Sequence, residues 1–354
     1  MPEPDPNIAA SVRARLLNRA RATGRPFDVL LTQFVHERLL YRLSLSPHAD
    51  RFALKGAMLL TVWLPDTARG TRDLDLLGFG EASEGRILEI FREALALAAD
   101  DGVDFDLGAL RAEPIREGLK YGGLRLRGKA ALSGARIAVV VDIGFGDSVE
   151  PGLETIDYPS LLDLPTPKLR AYAPETVIAE KFQAMVALGL ANSRMKDFYD
   201  IWMLSKIFRF NPDRLARAIE ATFARRGTSI PTVMPDALTT AFAGDPLKQR
   251  LWTTFTADLD LAPKQLQTIT DDLADFLMDA ADRARHLDQE PRDKSGVASH
   301  NNEIRCNTET PNADSPVRIP PPKRPNPAPW PRAAPMSRPP WQRRAATPRG
   351  SPTC

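Results

Sequence analysis

The 354 residues are 43% hydrophobic and 26% charged, which excludes collagen-like and wholly disordered chains and leaves room for one large domain or two smaller ones. The formal net charge of +2 hides a division: residues 291–354 carry eleven Lys/Arg against four Asp/Glu, and the remainder carries 36 against 41. The body is therefore mildly acidic, and bulk basicity is no argument for nucleic-acid binding there.

Taken in order, residues 1–7 are Pro-rich and read as disordered, and they lack the basic start and apolar run of a secretory leader. Ile8, Val12 and Leu16 recur every four residues and predict a helix that Thr23-Gly-Arg-Pro26 ends. Phe27 to Leu43 predicts a second helix, and Pro47 marks a turn after it. Phe52–Gly56 reads as a strand, Ala57–Leu64 as a helix and Arg72–Phe79 as another strand. A strand, a Gly turn and a helix start make a corner receptive to anions. Residues 83–99 predict a helix; Phe105–Arg111, Gly123–Ala130 and Ala135–Ile143 predict strands, the last two joined by a hairpin turn at Ser133-Gly134. The run ending Val-Val-Val-Asp-Ile is apolar enough to suggest a strand covered on both faces.

From Gly146 a Pro-punctuated stretch (Pro151, Pro159, Pro165, Pro167) reads as loop. Helices are then expected over Thr176–Leu188, Met195–Lys206, Asn211–Arg226, Pro235–Phe242 and Pro263–Leu287. From about Asp288 the composition changes: 15 of the 32 prolines lie in residues 291–354, together with both cysteines, Cys306 and Cys354. That segment buries too little apolar surface to order itself. Its Arg residues and Trp330 and Trp341 suit contact with nucleic acid or membrane, but a solvated appendage is the simpler reading. With no cysteine in the body, no disulfide framework or Cys-based zinc site organises the fold, which fits a reducing cytoplasm. The longest apolar runs, such as Ala57–Leu64 and Ile137–Val141, are too short to span a membrane. The expected architecture is α+β. An N-terminal helix and linker (1–26) precede a mixed-sheet domain flanked by helices (27–150), a mainly helical domain (151–287) and a disordered tail (288–354).

Four patterns carry chemistry. Asp73 and Asp75 stand two apart on a strand, on one face, and two adjacent carboxylates call for a cation; a hard divalent ion such as Mg²⁺ or Mn²⁺ suits them. Asp142 is either a turn residue before Gly144 or a third metal ligand from a neighbouring strand. Lys55, Gly56 and Ala57 form the anion-receptive corner, and Arg69, Arg72 and Lys181 offset phosphate charge. Asp197 and Asp200 follow Lys196 on a helix, where one of them orients a lysine or accepts a proton. Singly, each pattern is common: a Lys–Asp pair on a helix is usually a surface salt bridge.

Five ordered blocks resemble the AbiEii/AbiGii-type nucleotidyltransferase toxins of the DNA polymerase β-like superfamily. They are Leu30–Leu60, Arg69–Gly80, Val139–Asp147, Pro174–Gly189 and Ser193–Leu204. The resemblance implies that Gly56-Ala57 stands where the family has Gly-Gly or Gly-Ser, so a phosphate-binding hydroxyl is missing. It implies that Asp73 and Asp75 bind metal, that Lys181 is the motif lysine, and that the last catalytic Asp is Asp197 or Asp200. It also implies a nucleoside triphosphate substrate (GTP in some members), an RNA acceptor such as a tRNA 3′ end, and an antitoxin encoded nearby. The leading expectation is a metal-dependent nucleotidyltransferase toxin acting in the cytoplasm on an RNA or protein hydroxyl. A nucleotide- or RNA-binding module without chemistry, and a metal-dependent phosphodiesterase, are the alternatives.

Overall fold

The alternation of apolar and polar residues in the first half of the chain builds a sheet that is buried on one face and bears charge on the other. A computed structural model describes residues 6–64, 71–115 and 122–287. Of residues 1–7, expected to be disordered, Pro6 and Asn7 instead open the first helix, while residues 1–5 and 288–354 and the position of Arg69 lie outside the described residues. In chain order the elements begin with α1 (Pro6–Thr23), α2 (Phe27–Leu45), β1 (Phe52–Lys55), α3 (Met58–Trp63), β2 (Leu74–Gly78) and α4 (Glu84–Leu95). Strands β3 (Asp104–Phe105), β4 (Arg111–Ile115), β5 (Gly123–Leu132), β6 (Ala135–Phe145), β7 (Leu153–Asp157) and β8 (Lys168–Tyr172) follow. The chain then turns helical: α5 (Pro174–Leu188), α6 (Met195–Ile207), α7 (Pro212–Arg226), α8 (Thr240–Gly244), α9 (Pro246–Thr256) and α10 (Leu266–Leu287).

The sheet is mixed, in the order β3-β5-β6-β2-β1-β8-β7, with β4 also on β5. The β2–β6 and β1–β8 pairs are parallel and the others antiparallel. This is the expected α+β architecture, a mixed sheet followed by helices. Helix α2 packs on β6 and β8, and α4 packs on α2 and β4. The amphipathic α4 starts at Ser83, whose side chain accepts the Arg86 N–H, and buries Ile87, Ile90, Phe91, Ala94 and Leu95. Each large side chain buried this way contributes about 1.5–3 kcal/mol. Phe91 meets Phe52 of β1 edge to face, with ring centroids 5.5 Å apart.

Several elements depart from the sequence reading, among them the strand expected over Phe105–Arg111, which is two strands, β3 and β4, with a single turn of 3-10 helix between them. The stretch read as loop contains β7 and β8, which extend the sheet beyond β1. Prolines 151, 159, 165 and 167 stand outside both strands, so they break neither ladder. The apolar run of β6 is covered on one face only: Val139, Val141 and Ile143 are buried, Ala138 is exposed and Val140 is half-buried. Helix α9 begins at Pro246 after Asp245, whose side chain caps it by accepting from the Leu247 and Lys248 N–H groups.

The expected hairpin is present. Ser133 and Gly134 both have positive φ (44° and 79°), as a two-residue turn between twisted strands requires. Counting back from the Leu132–Ala135 pair puts Arg125 opposite Asp142. Asp142 is itself the partner of Asp75, and Asp75 the partner of Lys55. Four adjacent strands thus present Lys55, Asp75, Asp142 and Arg125 in one row across the sheet.

Candidate active site

The charges along that row run cation, acid, acid, cation, so the two acids stand side by side in the middle with a cation at each end. The row floors a cleft of about 510 Å³, with α5 and the start of α6 as its other wall. Lys55, Gly56, Ala57, Asp73, Asp75, Asp142, Lys181 and Asp197 all line it, together with Arg125, Glu180, Arg194, Lys196 and Arg226.

Asp75 owes its place to Gly56. That glycine has φ +73°, and a Cβ there would lie 2.2 Å from Asp75 Oδ2. The carboxylate lies against the bare turn between β1 and α3. Burial pushes the Asp75 pKa up, with Asp142 and Asp73 adding to the rise and Lys55 and Lys196 offsetting it, to about 6. No described side chain hydrogen-bonds this carboxylate. Asp73 immediately precedes β2 rather than lying within it. Its side chain is 66% exposed, and its nearest cation is Lys196 Nζ at 3.9 Å.

Asp142 differs from these two. Arg125 forks onto it, with Nε and Nη2 each donating across 2.7 Å. Among the described residues no group of three or more His, Cys, Asp or Glu side chains is arranged to hold a metal ion. The donor set that fits a hard cation is therefore the pair Asp73 and Asp75: oxygen ligands only, two apart in sequence and short of positive charge.

The helical wall is the opposite case. Lys181 Nζ on α5 contacts Asp197 Oδ1 at 2.5 Å and Asp200 Oδ2 at 2.9 Å, both on α6. Burial disfavours the charged ammonium, but Asp200 and Asp197 outweigh it, and the Lys181 pKa is raised. The two aspartates are not equivalent. Asp197 lines the cleft, whereas Asp200, 0% exposed, holds the lysine from behind. The one-turn spacing puts both on the same side of α6.

Lys55 is held by Asp147 at 2.5 Å and Glu180 at 3.5 Å. Burial opposes its charge, but Glu180, Asp147 and Asp75 outweigh that, and its pKa is raised. Arg226, at the end of α7, joins the cluster through Glu180 at 3.0 Å and Gln183 at 2.9 Å. This network ties the sheet to two helices of the second half.

Of the residues singled out from sequence, Arg72 stands apart. It pairs with Asp28 at 2.5 Å and lines a neighbouring groove rather than the cleft. Arg69 lies outside the described residues. Arg125, Asp147 and Arg226 belong to the cleft or its supports and carried no role in the sequence reading, while Arg194 and Lys196 entered it only as the residues leading to Asp197. The hairpin register could have found Arg125; nothing local marks Arg226, which arrives from 30 residues beyond Lys196.

A mixed sheet bearing paired carboxylates, faced by a helical wall with a clamped lysine, is an arrangement suited to nucleotidyl transfer. Residues 38–287 match the family described as nucleotidyl transferase AbiEii toxin, type IV TA system. The chain belongs to this family of nucleotidyltransferase toxins. Among solved structures it is similar to two from Helicobacter pylori. One is a candidate nucleotidyltransferase, 17% identical, with a TM-score of 0.39 and coverage of 73% of this chain and 97% of the other. The second is JHP933, also 17% identical, with a TM-score of 0.41 and coverage of 73% and 94%. No curated protein sequence matches. Among the described residues no helix is long and apolar enough to cross a membrane.

Proposed function

We propose that the protein transfers a nucleoside monophosphate from a nucleoside triphosphate, with GTP a candidate, to a hydroxyl of RNA such as a tRNA 3′ end, or of a protein. It does so in the cytoplasm, held in check by an antitoxin encoded nearby. The observation that carries this reading is the Asp73–Asp75 pair at the floor of a cleft that also gathers Lys55, Arg125, Lys181, Arg194, Lys196 and Arg226.

Asp73 and Asp75 would hold Mg²⁺ or Mn²⁺. When bound, the ion neutralises phosphate charge and stabilises the attacking and leaving oxygens. The chain's own groups do the rest. The bare Gly56 turn admits phosphate close to backbone. Lys181, kept charged by Asp197 and Asp200, offsets charge that develops on the phosphates. Arg194 and Lys196 rim the same cleft. As the acceptor oxygen bonds to the α-phosphorus, the bond to pyrophosphate breaks and the hydroxyl proton leaves towards the row of acids. Asp142, tied to Arg125, stays beside that row as a fixed negative charge.

The test is mass analysis of acceptor RNA after incubation with each triphosphate and Mg²⁺. RNA lengthened by a nucleotide, with pyrophosphate released, is expected. Shortened RNA would assign a phosphodiesterase instead. Triphosphate binding with no change in any RNA or protein would leave a binding module.

A further inference from the structure

Strand β2 begins at Leu74, opposite Val141. Among the described residues the first half of β6, from Ala135 to Val140, therefore has a neighbour only in β5, and its other edge is open. A groove of about 470 Å³ runs there, between β6 and the start of α2. Its lining includes Arg72, Arg136, Leu31 and Val140, and it shares Asp73, Arg125 and Asp142 with the catalytic cleft. The two hollows thus meet at the carboxylates.

We infer that this second groove is the acceptor subsite and that its occupant is the end of a single-stranded polynucleotide. The inference rests on the transferase reading above and adds where on the chain the acceptor lies and which residues hold it. Phosphoryl transfer places attacking and leaving oxygens roughly in line. Lys55, Lys181 and Arg226 gather on the α5 side of the carboxylates, which makes that side the place for the leaving pyrophosphate. The attacking hydroxyl then enters from the opposite side, where the groove opens.

Charge decides the class of occupant. Arg136 is exposed and makes no ion pair among the described residues. Among the described residues Arg72 is held only by the exposed Asp28, a pair that costs little to exchange for phosphate. On the same face, β5 adds Lys129 beside Ala138 and Arg127 beside Val140. Lys129 has no acidic partner among the described residues, while Arg127 is shared with Glu113. These cations follow the open edge away from the carboxylates, as a phosphate backbone would. Leu31 and Val140 supply apolar surface for sugar or base. A protein strand paired with the open edge would leave Arg136 and Lys129 without function.

The experiment measures binding of a short fluorescent single-stranded RNA to the full chain across a salt series, beside binding of a fluorescent triphosphate with Mg²⁺. For Arg136→Ala and Lys129→Ala, RNA affinity should fall while triphosphate affinity holds. Each lost phosphate contact should shrink the salt slope by about 0.7. Arg136→Lys should restore the slope, and Arg283→Ala on α10 should leave it unchanged. RNA binding with the wild-type slope in both alanine variants overturns the inference, as does failure of the wild-type chain to bind RNA. In that last case label transfer to a protein would keep the transferase reading intact. Conversely, the expected slopes without transfer to any acceptor would overturn the acceptor assignment together with the transferase reading and leave an RNA-binding groove.

Discussion

The two walls of the cleft solve the problem of buried charge in opposite ways. On the helical wall Lys181 meets two carboxylates at hydrogen-bonding distance, and the charges of that cluster are answered within the chain. On the strand wall Asp75 is buried against Gly56 with its pKa pushed up to about 6, and Asp73 has only a cation at 3.9 Å. A closed cluster fixes geometry, because each group holds the others in place. An open one keeps unspent affinity for a ligand that supplies the missing charge. The comparison assigns orientation to the helical wall and ligand capture to the strand wall.

The largest expected effect breaks the open wall. Asp75→Asn should lower label transfer by about three orders of magnitude or more, since it removes a donor from a two-carboxylate set. The same variant sharpens the comparison in another assay. Mg²⁺ should raise the melting temperature of the wild-type chain and leave that of Asp75→Asn unmoved, measured by thermal denaturation with and without the ion.

Next in size is the closed wall. Lys181→Met strands Asp197 and Asp200 without their cation, and should cost about 3–5 kcal/mol in urea unfolding. Within that cluster the two acids should separate. Asp200→Asn, deep behind the lysine, should lower stability most. Asp197→Asn, facing the cleft, should lower kcat with a smaller loss of stability.

His36 offers a pH test outside both walls. It is buried on α2, its Nε2 has no hydrogen-bond partner among the described residues, and burial, only partly offset by Asp73, pushes its pKa down to about 4. The unfolded chain takes up a proton near pH 6.5, which the folded chain resists until about pH 4. Stability should therefore be full above the unfolded value and fall as pH drops through that window, by up to about 3 kcal/mol. In urea titrations at several pH values, His36→Leu should flatten that part of the profile.

Smaller again is Gly56→Ala. Its positive φ and the close approach of Asp75 should cost about 1–3 kcal/mol and shift the carboxylate, so transfer should fall more than stability. The smallest effect belongs to the exposed Arg127–Glu113 pair, where Glu113→Ala should change stability by about 1 kcal/mol or less.

Much of the site was legible because its parts sit where local pattern is strongest. The β1–Gly56–α3 corner, the Asp73–Asp75 spacing and the α5 and α6 helices announce themselves through turn glycines and periodicity. The sequence could not separate Asp197 from Asp200, because spacing shows a shared helix side but not depth. It could not place Arg226, which reaches Glu180 only through the packing of α7 on α5. Strands β7 and β8 were hidden by the prolines around them. The pairing of Asp142 with Arg125 was within reach: the Ser133-Gly134 turn sets a register that needed only to be counted. Reading Val139–Val141 as covered on both faces obscured it, because a strand buried on both sides has no place for an arginine.

The most direct test of the strand wall as the transfer centre uses triphosphates labelled at the α- or the γ-phosphate, with Mg²⁺ and cellular RNA. The α label should enter RNA and the γ label should not, and Asp75→Asn should abolish the transfer while remaining folded by circular dichroism. Transfer by Asp75→Asn at the wild-type rate would contradict the account, because the chemistry would then not depend on the carboxylate that Gly56 makes room for.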